Sequence, residues 1–203
     1  MNAVVGRKSI SAKRRELILE QGSTGIVQID TGIAFGYTGE IITSVYGPNH
    51  WLVPDALVSG QPSPERIFAH TAVTYLGVGE MTSFRKERIA LQACMRSLTA
   101  RQTFVATNTL DLKGQLSYLL RSLALGPMGI TNREGLVLEV SRTNLAAMLG
   151  CSREMVGRII RELTVSGVIH CLGGCKSITV LGVYRDPPEP LMPLPLSSMG
   201  HAS

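Results

Sequence analysis

The segment that most restricts the fold is residues 141–169, SRTNLAAMLGCSREMVGRIIRELTVSGVI. Ser141 is placed to cap a helix whose apolar stripe is Leu145, Met148 and Leu149. Gly150 stops that helix where a positive φ costs glycine least. Ser152 caps a second helix with Glu154 in its first turn, where a carboxylate suits the positive helix end. Two short helices joined by a glycine turn predict a helix-turn-helix. Ala146 lies four residues before Gly150, where crossing helices touch and a larger side chain would force them apart. Val156, Ile159 and Ile160 should point into a small core, leaving Arg153, Glu154, Gly157 and Arg158 on the opposite face. Arginine can fork to guanine O6 and N7, and glutamate can accept from cytosine N4, so this face suits a helix that reads base edges. Gly157 costs about 1 kcal/mol against alanine in a helix interior, and close approach to DNA is its expected return. The plainer alternative is a solvated polar face, since exposed Arg/Glu surfaces are common on helices.

The next residues along the chain favour nucleic acid. VIHCLGGCKSITVLG, residues 168–182, holds two β-rich runs around a Gly-Gly turn, a hairpin wing with Lys176 near its tip and over a phosphate. Residues 141–185 carry six Lys or Arg against two acids, so most of the chain's net charge of +5 falls in this module. Fifteen of the 20 cations are Arg, the side chain suited to bidentate contact with phosphate or guanine. Four cysteines in 203 residues are too sparse and irregular for a disulfide scaffold, and reduced thiols are expected.

Upstream the texture changes. Residues 7–15 hold Arg7, Lys8, Lys13, Arg14 and Arg15 with no acid. From about 16 to 80, short β-branched runs broken by glycine (LIL, GIVQID, GIAFGYTG, IITSVYG, HTAVTYLGVG) predict an antiparallel roll, with a loop at GQPSP. At Thr82 or Ser83 the period becomes helical. Phe84, Leu91, Leu98 and Val105 recur every seven residues and Met95 falls four after Leu91, which predicts a coiled-coil dimer seam. An amphipathic helix lying on its own domain is the alternative. Leu110–Leu125 reads as a further helix ended by Gly126-Pro127, followed by a loop over Gly129–Gly135 and a short strand, LVLEV. The last residues, DPPEPLMPLPLSSMGHAS, carry five of ten prolines and should have no fold of their own. No run of about 18 apolar residues occurs, so no transmembrane helix is expected. The start, MNAVVGRKSISAKRRELI, lacks the apolar core of a secretory signal, so a cytoplasmic location is expected.

The stretch GCSREMVGRIIREL followed by a wing resembles the DNA-binding domain of the Crp/Fnr transcription regulators. The resemblance extends less sharply over a β-roll sensor, a long dimer helix and LDLKGQLSYLLRSLAL as the helix that opens the DNA-binding domain. It implies base contacts by Arg153, Glu154 and Arg158. Phosphate contacts are implied for Ser141, Ser152 and Lys176, with Arg142 beside them. Arg-Glu-x-x-Gly-Arg is similar to the branch that reads TGTGA-like half-sites, whereas the Fnr branch has serine where Gly157 stands. RNA polymerase is the further partner that the resemblance implies.

The departures concern the ligand. The family's cyclic-nucleotide pocket has Gly-Glu-Leu/Ala and then Arg-Ser/Thr, but here Asp55 stands in place of the glutamate after Pro54, and Arg66 is followed by Ile67. Ala100 and Arg101 stand where the family presents a Thr-Ser pair to adenine. Cyclic AMP is therefore not expected, and Asp55, Arg66 and Arg101 remain as the weak candidate pocket for another effector. No cysteine precedes Cys94, so an iron–sulfur cluster in the sensor has no ligands. Cys171 and Cys175 lack a second pair for zinc, and His50 and His70 read as ordinary polar groups, so no metal is expected.

The expectation is an α+β protein: a β-roll resembling a cyclic-nucleotide-binding jelly roll over 1–82, a dimerisation helix over 83–107, a winged helix-turn-helix over 108–185 and a Pro-rich tail over 186–203. It is expected to be no enzyme but a homodimeric regulator binding palindromic double-stranded DNA. Two alternatives stand beside it: an interaction partner of another regulator that binds no DNA, and a cupin-type β-roll enzyme, disfavoured by the absence of a His-x-His pair. Effector, sign of regulation and target genes are not legible.

Overall fold

A computed structural model of the chain describes residues 8–23, 27–52, 61–77, 87, 89–91, 93–95, 108–133, 135–172 and 177–181. Its N-terminal half contains eight described strands, β1 (Lys8–Ala12), β2 (Leu17–Leu19), β3 (Val27–Thr31), β4 (Ala34–Thr38), β5 (Ile41–Tyr46), β6 (Trp51–Leu52), β7 (Arg66–Ala69) and β8 (Val73–Gly77). They form two antiparallel four-stranded sheets, in the orders β1-β8-β3-β6 and β2-β7-β4-β5. Alternation sets the faces: Val27 and Ile29 of β3 and Ile42 and Tyr46 of β5 are buried, while the other residues of these two strands are not. Ile29, Ala34, Leu52 and Ile67 are fully buried in the roll's apolar cluster. Glu65 ties the loop before β7 to β5, its carboxylate accepting from Thr43 Oγ1 at 2.6 Å, Ser44 Oγ at 2.6 Å and the Tyr46 hydroxyl at 2.7 Å.

Two strands depart from the sequence reading. The basic stretch contains β1, which pairs with β8 from Lys8↔Gly77 to Ala12↔Val73. The stretch expected as a loop over Gly129–Gly135 begins with β9 (Gly129–Thr131).

Residues 87, 89–91 and 93–95 are helical. Ile89 and Ala93 are buried, whereas Leu91 and Met95, one turn apart on another side, are 65% and 58% exposed. Phe84, Leu98 and Val105 of the expected seam lie outside the described residues, as does the tail.

The C-terminal half opens with α1 (Leu112–Leu125), capped by Asp111, whose carboxylate accepts from Gly114 N at 2.8 Å. It continues through β9, β10 (Leu136–Leu138), α2 (Arg142–Leu149), α3 (Arg153–Val165), β11 (Ile169–Leu172) and β12 (Ser177–Val180). The four strands make one antiparallel sheet in the order β11-β12-β10-β9. Leu116, Leu120, Leu138, Leu145, Val156, Ile160 and Ile178 are its innermost side chains. This cluster does not stop at the C-terminal half: Phe35 of β4 and Ile42 of β5 belong to it. A Cβ on Gly47 would fall 2.1 Å from Pro127 Cβ, so only glycine lets the roll approach so closely there.

Candidate nucleic-acid interface

The two helices of the 141–165 segment are set by their caps. Ser141 Oγ accepts from Asn144 N at 3.1 Å and Ser152 Oγ from Met155 N at 3.2 Å, each cap contributing about 1 kcal/mol to its helix. The Ser141 hydroxyl thereby keeps a proton to donate outward, to a phosphate oxygen for example, while that of Ser152 is directed to the Glu154 carboxylate. Gly150 ends α2 at φ 63° and ψ 32°, the left-handed geometry that turns the chain into α3. Ala146 is buried, in keeping with a close helix crossing.

Val156, Ile159, Ile160 and Leu163 form the inner row of α3 and are all buried. Full burial contributes roughly 1.5–3 kcal/mol per side chain of this kind, so the row easily outweighs the ~1 kcal/mol that Gly157 costs the helix. Orientation of the polar face is therefore fixed by the core. On that face Arg153 and Glu154 are 67% and 75% exposed and 3.6 Å apart. Such an exposed pair holds its partners weakly and leaves both available. The Glu154 backbone N–H, and after it the Arg153 guanidinium and the Ser152 hydroxyl, hold the Glu154 carboxyl below the usual range, so it stays an acceptor at neutral pH. Arg158 is exposed one turn on, with Nη2 donating to Met155 Sδ at 2.8 Å.

One expectation is corrected. Gly157 is not open on the outward face but buried, because the Arg142 side chain crosses over it from α2. A Cβ at Gly157 would sit 3.4 Å from Arg142 Nη1. The glycine thus seats an arginine rather than presenting bare backbone to DNA. Arg142, which the sequence suggests only as a phosphate contact, is half-buried, with its Nε hidden and without a hydrogen-bond partner among the described residues.

Arg161 was missed. It follows Gly157 by one turn, its Nε donates to Gly157 O at 3.4 Å, and it lines one cavity with Arg142, Arg153 and Glu154. Its spacing of eight from Arg153 is the signal that could have found it. The wing is present as the β11–β12 pair, in register from Ile169↔Val180 to Leu172↔Ser177. Lys176, expected from the sequence near its tip, lies outside the described residues.

Of the weak ligand pocket, Asp55 and Arg101 lie outside the described residues. Arg66 is exposed on β7, opposite Tyr37, while the adjoining Ile67 is fully buried in the roll's apolar cluster. His50 Nδ1 accepts from Gly47 N at 3.2 Å. His70 stacks on Phe35 with ring centroids 4.2 Å apart, its Nε2 3.4 Å from the carbonyl oxygen of Glu139. No group of three His, Cys, Asp or Glu able to hold a metal occurs among the described residues. Among them, too, no helix is long and apolar enough to cross a membrane.

Residues 115–184 match the model of the Crp-like helix-turn-helix domain. The chain is 35% identical over 112 residues to the cAMP-activated global transcriptional regulator CRP of Haemophilus influenzae, a match that covers 49% of each protein. It spans about half the length, or less, of the curated relatives it matches. Among solved structures, a CRP/FNR-family transcriptional regulator from Thermus thermophilus matches with a TM-score of 0.72 at 23% identity, over 86% of this chain and 93% of that one. FixK2 from Bradyrhizobium japonicum matches with a TM-score of 0.72 at 14% identity, over 87% and 93%. At these identities the structural likeness speaks for the fold, and the helix-turn-helix match for the module within it. The chain thus carries a Crp-like helix-turn-helix domain within the fold of the Crp/Fnr-family regulators.

Proposed function

We propose that this chain is a DNA-binding transcription regulator that acts as a homodimer on a palindromic, TGTGA-like site. The observation that carries the reading is the polar face of α3, where the buried row fixes Arg153, Glu154 and Arg158 outward at the N-terminal end of the helix. Arg153 and Arg158 fork to guanines and Glu154 accepts from a cytosine N4, while Ser141, Arg142, Ser152 and Lys176 hold the flanking phosphates. A symmetric pair would set two such helices about 34 Å apart, in successive major grooves. The exposed Leu91 and Met95 supply the surface for pairing. RNA polymerase is the further partner, and the chain performs no catalysis, in keeping with relatives named as transcriptional regulators.

The sensor reading goes with it. The roll's interior at Ile67 is apolar where a phosphate-binding hydroxyl would be needed, which argues against cyclic AMP as effector.

Binding-site selection tests the mechanism. Glu154→Ala should relax base preference at one position of each half-site. Lys176→Ala should weaken all sequences alike and reduce the salt slope by about one. If neither substitution alters the selected sequences or the salt dependence, the reading is wrong.

A further inference from the structure

Arg158, on the outward face of α3, has a carboxylate one turn away on either side, Glu154 before it and Glu162 after it. Among the described residues neither pairs with it. Glu154 lies 3.6 Å from Arg153, and Glu162 lies 3.9 Å from Lys113. The group that does hold Arg158 is neutral: its Nη2 donates to Met155 Sδ at 2.8 Å, three residues back on the same face.

Met155 is anchored at two points. Its backbone N–H donates to Ser152 Oγ at 3.2 Å, and its half-buried side chain packs against the apolar cluster of the C-terminal half. The thioether therefore stands on a fixed base, whereas Arg158 is exposed and has many rotamers to choose from. A thioether is also a weak acceptor without charge. A carboxylate in its place would take two N–H groups of the guanidinium at once and hold them against the pull of a base. The sulfur takes one N–H of five and leaves four, more than the two that a guanine fork needs.

We propose that Met155 is a positioning residue for base recognition: it holds the Arg158 guanidinium ready to fork to guanine, and so contributes to the choice of base rather than to attraction for DNA as such. The role rests on the DNA-binding reading above. An arginine ordered before binding loses less freedom when it meets the base. An unordered one can turn to a phosphate, which carries no sequence information.

The test uses the full chain, with binding-site selection and with fluorescence anisotropy on the selected operator, on operators changed at single positions and on unrelated DNA. Arg158→Ala first identifies the position that Arg158 reads. Met155→Leu keeps an apolar side chain of similar volume against the core and removes the acceptor. It should lower the preference for guanine at that position by about fivefold, part of what a bidentate contact supplies. Affinity for unrelated DNA should stay within about twofold, since no phosphate contact is removed. Met155→Gln, whose amide oxygen accepts in place of the sulfur, should restore the preference. With Arg158 already replaced by alanine, Met155→Leu should change nothing further at that position. In the free protein, NMR should show faster rotation about the Arg158 Nε–Cζ bond in Met155→Leu than in the wild type.

The proposal is overturned if Met155→Leu leaves base preference or the Arg158 rotation unchanged, if it weakens all sequences alike, or if Met155→Gln behaves as Met155→Leu does. An equal effect of Met155→Leu with and without Arg158 would also overturn it, by making Met155 a direct base contact. A wild-type chain that selects no sequence would overturn the regulator reading, and this role with it, whereas sequence selection that Met155→Leu leaves intact overturns the role alone.

Discussion

At the residue scale, Gly157 and Arg142 act as a pair. The sequence presents Gly157 as a costly residue on an exposed face, and a costly exposed glycine invites a role in contact with DNA. Packing assigns the cost elsewhere, since the missing side chain is the floor on which Arg142 lies. A methyl group there would meet Arg142 Nη1 at 3.4 Å, an ordinary van der Waals distance. Gly157→Ala should therefore recover helix propensity without a clash. It is expected to stabilise the protein by about 0.5–1 kcal/mol, a rise of roughly 1–4 °C in Tm for a chain of this size. Operator affinity should stay within about threefold, less than 1 kcal/mol. Chemical denaturation and anisotropy measure the two quantities. A loss of affinity beyond about tenfold at unchanged stability would return the glycine to a role in close approach to DNA.

At the scale of elements, legibility followed burial. Both helices of the 141–165 segment were readable to their caps, because Ser141, Gly150 and Ser152 each have one strong local reason to sit where they do. The two missed strands, β1 and β9, are both edge strands, one at the end of the order β1-β8-β3-β6 and the other at the end of β11-β12-β10-β9. An edge strand is paired on one side only, and lysine is tolerated on it, so KSISA carried the pattern of a charged tail. Contacts between distant elements were beyond reach, because no local pattern announces that Arg14 and Arg142 share a cleft or that His70 meets Glu139. The last of these has a measurable consequence. Burial holds the His70 pKa below its ordinary 6.5, and the Arg14 charge adds to this, against the smaller opposing effects of the Glu139 carbonyl and carboxylate. The folded state thus favours the neutral ring, and below about pH 6.5 the unfolded chain binds a proton that the native state resists. Stability from this group is full above that pH and declines as pH falls through 6.5 toward the lowered value. His70→Phe keeps a ring against Phe35 and removes the titration. Its Tm should fall less than that of the wild type between about pH 7.5 and about pH 5.5. Parallel pH profiles for the two proteins would show that His70 carries none of the dependence.

For the whole molecule, recognition depends on whether two copies act together, because one recognition helix touches only a few base pairs. The helical residues 87, 89–91 and 93–95 present two sides: Ile89 and Ala93 are buried within the chain, while Leu91 and Met95 meet solvent. A leucine and a methionine a turn apart are a poor choice for a surface helix and a good one for a seam between copies. An aspartate at either position would put a charge in that seam, yet it would disturb little in the single chain, where exposed substitutions usually change stability by no more than about 0.5 kcal/mol. Leu91→Asp and Met95→Asp should therefore sediment as monomers with an unchanged circular dichroism spectrum. Each half-site would then be bound alone, without the effective concentration that the first binding event provides for the second. Affinity for a palindromic operator should drop by about 10²-fold or more, and affinity for an isolated half-site should not. A wild-type chain that sediments as a monomer, or a pair of variants that remain dimers and keep full operator affinity, would place the seam elsewhere or remove it.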